Sequence, residues 1–132
     1  MDSLRRLRRR ELVRIAWRDL TGAASFAETL AETSALADAA IAAALAFAVR
    51  ALAPHYGTPR SAAGEAQELL VIGMGKLGGR ELNFSSDVDL VFLFPERGET
   101  DGARSVANED YFTRLGQMLI RLLDARTPEG FV

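Results

Sequence analysis

Apolar positions recur at helical spacing from Leu4 to Leu20, where Leu4, Leu7, Leu12, Ile15, Ala16 and Leu20 gather near one face and arginines fill the other. The pattern predicts an amphipathic helix that ends at Thr21-Gly22. Ser25 opens a second pattern, and Glu28 three residues later completes a capping box. From Phe26 to about Ala53 the chain is rich in alanine, with Leu30, Leu36, Ile41, Leu45, Phe47 and Val49 as its larger apolar residues; this predicts one long helix, with a bend near Thr33-Ser34. Pro54, His55, Tyr56, Gly57 and Pro59 then read as a linker into Ser61-Ala62-Ala63-Gly64, with His55 as a loop residue. A domain boundary is expected within residues 54–66, separating a helical segment, 1–60, from a second unit, 61–132.

The second unit has a different rhythm. Glu68 to Ile72 is a short apolar strand candidate, followed by the glycine-rich Gly73-Met74-Gly75-Lys76-Leu77-Gly78-Gly79. Asp87 to Phe94 reads as a second strand, apolar on both faces beyond its first acidic positions and therefore expected to be buried. Pro95 to Gly102 is a polar turn. Asn108 to about Arg126 is a final helix with Phe112, Leu115, Met118, Leu119 and Leu122 as its buried stripe. Thr127-Pro128-Glu129-Gly130 reads as a turn and Phe131-Val132 as the start of a third strand. The class is α+β: two N-terminal helices, then a small sheet with a covering helix.

Composition narrows the functions such a chain can have. Its 132 residues, 48% hydrophobic and 26% charged, suit about one globular domain, and a net charge of −2 argues against a surface built for polyanions. Residues 1–20 do hold seven arginines against three acidic residues. That cluster is either a patch for an anionic partner or a solvated face with ion pairs; without interleaved aromatics, no nucleic-acid partner is expected. The absence of cysteine excludes disulfides, thiolate metal sites and thiol nucleophiles, and a single histidine excludes a multi-histidine metal site. With no signal-peptide pattern, the cytoplasm is the expected compartment. The longest uninterrupted apolar run, Ala39 to Val49, has 11 residues where a span needs about 20, so no membrane is expected.

Lys76 is the only lysine, and it lies in the glycine loop. A P-loop would need Ser or Thr after that lysine and a glycine five residues before it; Leu77 and Val71 stand there instead. Gly73, Gly75 and Gly78 do spell a dinucleotide fingerprint. Only eight residues, Gly79 to Ser86, separate Gly78 from the next strand, too few for a comfortable crossover helix. A third reading joins the loop to Asp87 and Asp89. On a strand these two carboxylates would share a face, about 6–7 Å apart at their Cα atoms. Such a pair repels unless a cation or protons intervene. Hard oxygen ligands favour Mg²⁺ or Mn²⁺, and glycine frees nearby backbone N–H groups to approach phosphate oxygens. The pattern suggests metal-assisted chemistry on a nucleotide phosphate; the alternative, a turn-starting Asp87 and a solvated Asp89, would be costly on a buried strand. Lys76 would neutralise phosphate charge or is a simple surface lysine; Ser85 and Ser86 would donate to phosphate or form a turn.

Gly75, Lys76 and then Asp87-Val88-Asp89 resemble the nucleotidyltransferase superfamily pattern of a Gly-Gly or Gly-Ser loop followed by Asp-x-Asp, with Lys76 as a departure. The string from Val71 to Phe92, through GMGKLGGRELNFSSDVD, more specifically resembles the bacterial bifunctional glutamine synthetase adenylyltransferase/adenylyl-removing enzymes. The likeness extends to Tyr111-Phe112-Thr113-Arg114-Leu115-Gly116-Gln117, to Thr127 through Val132 and upstream to Arg8 through Leu20. The resemblance implies a nucleotidyltransferase-like mixed sheet, truncated here. It implies Asp87 and Asp89 as catalytic Mg²⁺ ligands, with Gly75, Lys76, Gly78, Gly79, Ser85 and Ser86 around the nucleotide. Met74 and Asn83-Phe84 resemble the adenylyl-removing half, in which phosphate attacks AMP on a tyrosine of glutamine synthetase and releases ADP. The ATP-dependent adenylylating half is the alternative, and a non-catalytic nucleotide- or protein-binding piece is another. Glutamine synthetase, and a nitrogen-signalling regulatory protein, are the partners it implies. Family members are several times longer, and a third carboxylate follows the segment matching Gly130-Phe131-Val132, so a fragment is expected.

Overall fold

Ser25 caps the N-terminus of a 31-residue helix: its Oγ accepts the Glu28 N–H at 3.2 Å, and the Glu28 carboxylate accepts the Ser25 N–H at 2.7 Å. In the computed structural model, which describes residues 1–124, this helix (α2, Phe26–Tyr56) follows α1 (Asp2–Leu20). The remaining elements are β1 (Pro59–Ser61), β2 (Leu70–Gly73), the single turn α3 (Gly75–Gly78), β3 (Leu90–Leu93), β4 (Gly98–Thr100) and α4 (Asn108–Asp124). β1 pairs with β4 and β2 with β3, both antiparallel, so the α+β class holds. The expected turn at 127–130 and strand at 131–132 lie outside the described residues, as does the end of the last helix at Arg126.

The two N-terminal helices form a hairpin, with Arg18 and Arg14 paired to Glu32 and Thr29 Oγ1 donating to Asp19 at 2.9 Å. The arginine-rich face is not wholly solvated. Arg5 is buried and reaches Asp2 and the Leu122 carbonyl near the C-terminus of α4, whereas Leu7 and Leu20 of the expected apolar stripe are exposed. On α2 the buried residues recur every fourth position, Ala40, Ala44, Ala48, Leu52 and Tyr56. Small side chains there let α2 lie close against its neighbours. The helix passes Ala53 and runs through Pro54 and His55 to Tyr56, correcting the expected linker: so near the C-terminus, proline disturbs little, and Gly57 (φ +72°) ends it. With mean hydropathy 1.8 over an 18-residue window, α2 also has the length and composition of a membrane-crossing helix, more than its uninterrupted apolar run suggested. The rest of the expected linker and the polar turn at 95–102 contain β1 and β4.

The core joins α2 to α4 through Ala48, Leu52, Tyr56, Leu69, Tyr111, Phe112 and Leu115. It draws on both sides of residue 60. Phe94 stacks on Phe112 with ring centroids 5.0 Å apart, and Tyr111 meets Tyr56 edge-on at 6.2 Å. Gly116 leaves room on α4 for Phe92, whose ring carbon lies 3.2 Å from where a Cβ would stand. These contacts seat β3, and with it the acidic segment that precedes it.

Candidate active site

The glycine loop is shaped by contacts that exclude side chains. A Cβ on Gly78 would stand 2.5 Å from the Gly73 carbonyl oxygen, and one on Gly73 would meet Leu77 at 2.9 Å. Gly75 takes φ +55°, which glycine adopts without a Cβ penalty. The resulting turn, α3, is four residues long, and no helix follows it before β3. The connection from β2 to β3 thus lacks the crossover helix a dinucleotide fold needs, as the spacing indicated.

β3 begins at Leu90, so Asp87 and Asp89 do not lie on the strand as expected but on the segment leading into it. Both are exposed. The strand itself is only half-buried: Leu90 and Phe92 face inward, while Val91 and Leu93 face out, which corrects the expectation of a fully buried strand. Burial therefore does not force a partner on Asp89. Among the described residues, neither carboxylate has a hydrogen-bond or ion-pair partner, and no third His, Cys, Asp or Glu joins them. The segment is nevertheless tied to the loop, since the Met74 N–H donates to the Asp89 carbonyl at 2.8 Å and a Cβ on Gly75 would lie 3.8 Å from Asp89 Oδ2.

A cleft of about 810 Å³ opens beside the pair. Ser86, Asp87 and Asp89 line one side; Arg8, Leu12, Leu36 and Ile41 line the helical side. Of the predicted site residues, Gly75, Lys76, Gly78, Gly79 and Ser85 are outside this lining, and Lys76 is exposed on α3. Ser85 and Ser86 have local roles. Asn83 Oδ1 accepts from Ser85 N–H (3.1 Å), Ser85 Oγ (3.2 Å) and Ser86 Oγ (2.6 Å), and the Asn83 N–H donates back to Ser86 Oγ. This is an Asn-centred turn that fixes the approach to Asp87.

The helical wall was not legible as part of a site. Arg8 lies there, and burial lowers its guanidinium pKa from the ordinary arginine value. Thr33 lines the cleft too, and its neighbour Ser34 accepts the Leu82 N–H at 3.0 Å. Two adjacent hydroxyl residues in an alanine-rich helix were the available signal, read from sequence only as a bend.

A sequence model of the family described as glutamate-ammonia ligase adenylyltransferase matches residues 1–132. The chain is 57% identical over its full length to a protein of Thioalkalivibrio sulfidiphilus, covering 14% of that protein. It is 53% identical to one from Shewanella oneidensis and 55% identical to one from Pseudomonas aeruginosa, over 98% of the chain in each case and 14% and 13% of those proteins. All three relatives are named bifunctional glutamine synthetase adenylyltransferase/adenylyl-removing enzyme. The chain spans about one seventh of their length.

Proposed function

Since this chain belongs to the glutamate-ammonia ligase adenylyltransferase family, we propose that it supplies part of a nucleotidyl-transfer centre acting on glutamine synthetase, and that this centre is the adenylyl-removing one. Inorganic phosphate attacks the phosphorus of AMP held on a tyrosine; a new P–O–P link forms, the tyrosyl P–O bond breaks, and the phenol oxygen takes up a proton. ADP leaves. The observation that carries the reading is the pair Asp87 and Asp89, unpartnered among the described residues, at the rim of a cleft and tied to the glycine loop. Met74 and Asn83-Phe84 favour the removing half over the adenylylating one.

Two exposed acceptor-only carboxylates suit Mg²⁺, which keeps several waters and takes its other oxygens from substrate phosphates. Bound there, it would offset charge developing on the phosphoryl oxygens. Asp87 and Asp89 would hold the ion, the Asn83 turn sets the direction of Asp87, and the Met74 N–H fixes the backbone at Asp89. The apolar wall of Leu12, Leu36 and Ile41 excludes water from one side of the cleft.

The test is a graft in which residues 1–132 replace the matching stretch of the Thioalkalivibrio sulfidiphilus relative, with the other half of that protein inactivated. Adenylylated glutamine synthetase and phosphate should give ADP. Pyrophosphate from ATP and unmodified glutamine synthetase, without ADP release, would assign the adenylylating half instead.

A further inference from the structure

We propose that Ser34, on α2, is a positioning residue for the segment that carries Asp87 and Asp89, an inference that rests on the function proposed above. Ser34 is wholly buried, at 0% exposure. Its Oγ donates to the Leu30 carbonyl at 2.8 Å and accepts the Leu82 N–H at 3.0 Å, across 48 positions of sequence. Serine is a neutral to unfavourable choice inside a helix, and back-bonding to the preceding turn gains little by itself. In an alanine-rich helix the hydroxyl is explained by the loop it receives.

What that loop carries makes the contact consequential. Leu82 is buried and sits between two local structures. On one side is the turn around Arg80, whose φ of +57° is the only left-handed value at a non-glycine residue among the described ones, closed by the Glu81 N–H to the Lys76 carbonyl at 2.7 Å. On the other is the Asn83 turn that leads into Asp87. Both are local, and the Met74–Asp89 bond also joins neighbouring parts of the same β2–β3 unit. Ser34 fixes the segment from outside that unit. The other tie to α2, Arg80 to Asp38, is exposed and long at 3.9 Å. Replacing the hydroxyl by hydrogen leaves a buried backbone N–H without its acceptor, and the loop moves to find water.

The experiment uses the grafted enzyme with Ser34→Ala, and Thr29→Ala as control; Thr29 is a buried hydroxyl of the same helix that bonds only Asp19 and Ser25. Ser34→Ala should lower kcat for phosphate-dependent ADP release by roughly tenfold or more, with KM for adenylylated glutamine synthetase nearly unchanged, because a small displacement of a catalytic group costs rate rather than binding. Thr29→Ala should lower the melting temperature without that loss. If Ser34→Ala lowers only the melting temperature, the inference is overturned while the proposed function stands. If the unsubstituted graft releases no ADP, the functional reading falls, and amide exchange on the 132-residue chain decides the positioning claim. Faster exchange in Ser34→Ala from Leu82 through Asp89 upholds it, and unchanged exchange there overturns it.

Discussion

Sheet β1–β4 is held by side chains as much as by its own ladder. Asp101 accepts the Thr58 N–H at 2.7 Å and the Arg60 Nε at 2.8 Å; Asn108 donates to the Arg60 and Glu96 carbonyls; Thr100 accepts the Val106 N–H. Sheet β2–β3 has none of this. No side-chain hydrogen bond reaches its strands among the described residues, and its outer face sets Leu70 opposite Leu93 and Ile72 opposite Val91, each 40–50% exposed. The first sheet uses its polar groups on itself and fastens the end of α2 to the start of α4. The second leaves two carboxylates at one end, beside the glycine loop, unpartnered among the described residues. A clasp and a platform of nearly the same size are thus told apart by where their polar groups go.

Gly98→Ala should break the clasp. Its Cβ would collide with the Arg60 carbonyl across the β1–β4 pair, so about 3 kcal/mol of unfolding free energy should be lost in urea titrations. Gly78→Ala strikes the platform: against the Gly73 carbonyl it should cost about 1–2 kcal/mol, and in the grafted enzyme it should depress ADP release well beyond what that loss explains. A smaller effect is expected in acid. The Thr58 N–H, and then Arg60, hold the Asp101 carboxyl below its ordinary pKa. Its contribution to stability is therefore present above the unfolded pKa and is lost as pH falls toward the folded one. The melting temperature of Asp101→Asn should accordingly fall less steeply than that of the parent below about pH 4. Leu70→Thr with Leu93→Thr, on the open face of the platform, should change stability least, by about 0.5 kcal/mol or less. A larger loss in urea titration would show that this face is packed.

Much of this organisation was legible because local signals agreed with one another. The Ser25–Glu28 box, the stripe on α4 and the lack of room for a crossover helix between Gly78 and β3 all follow from spacing alone. Misreadings arose where a long-range contact decided the outcome. Proline and glycine after Ala53 suggested a linker, yet one further helical turn buries Tyr56 against Tyr111. The run from Val88 to Phe94 suggested a strand buried on both faces, but a two-stranded sheet covered by α4 on one side buries alternate residues only. Asp87 and Asp89 were singled out by their spacing on an expected strand, although both precede β3 and are exposed. Ser34 was invisible as a site residue because its partner, the Leu82 N–H, is a backbone group 48 residues away.

The central claim is that the exposed pair beside the glycine loop performs adenylyl chemistry, and Asp89→Asn in the grafted enzyme tests it most directly. The substitution keeps the shape and removes the charge. Phosphate-dependent ADP release should fall by at least about a hundredfold, with the melting temperature unchanged because Asp89 is exposed and its side chain unpartnered among the described residues. Release at the parent rate would contradict the account.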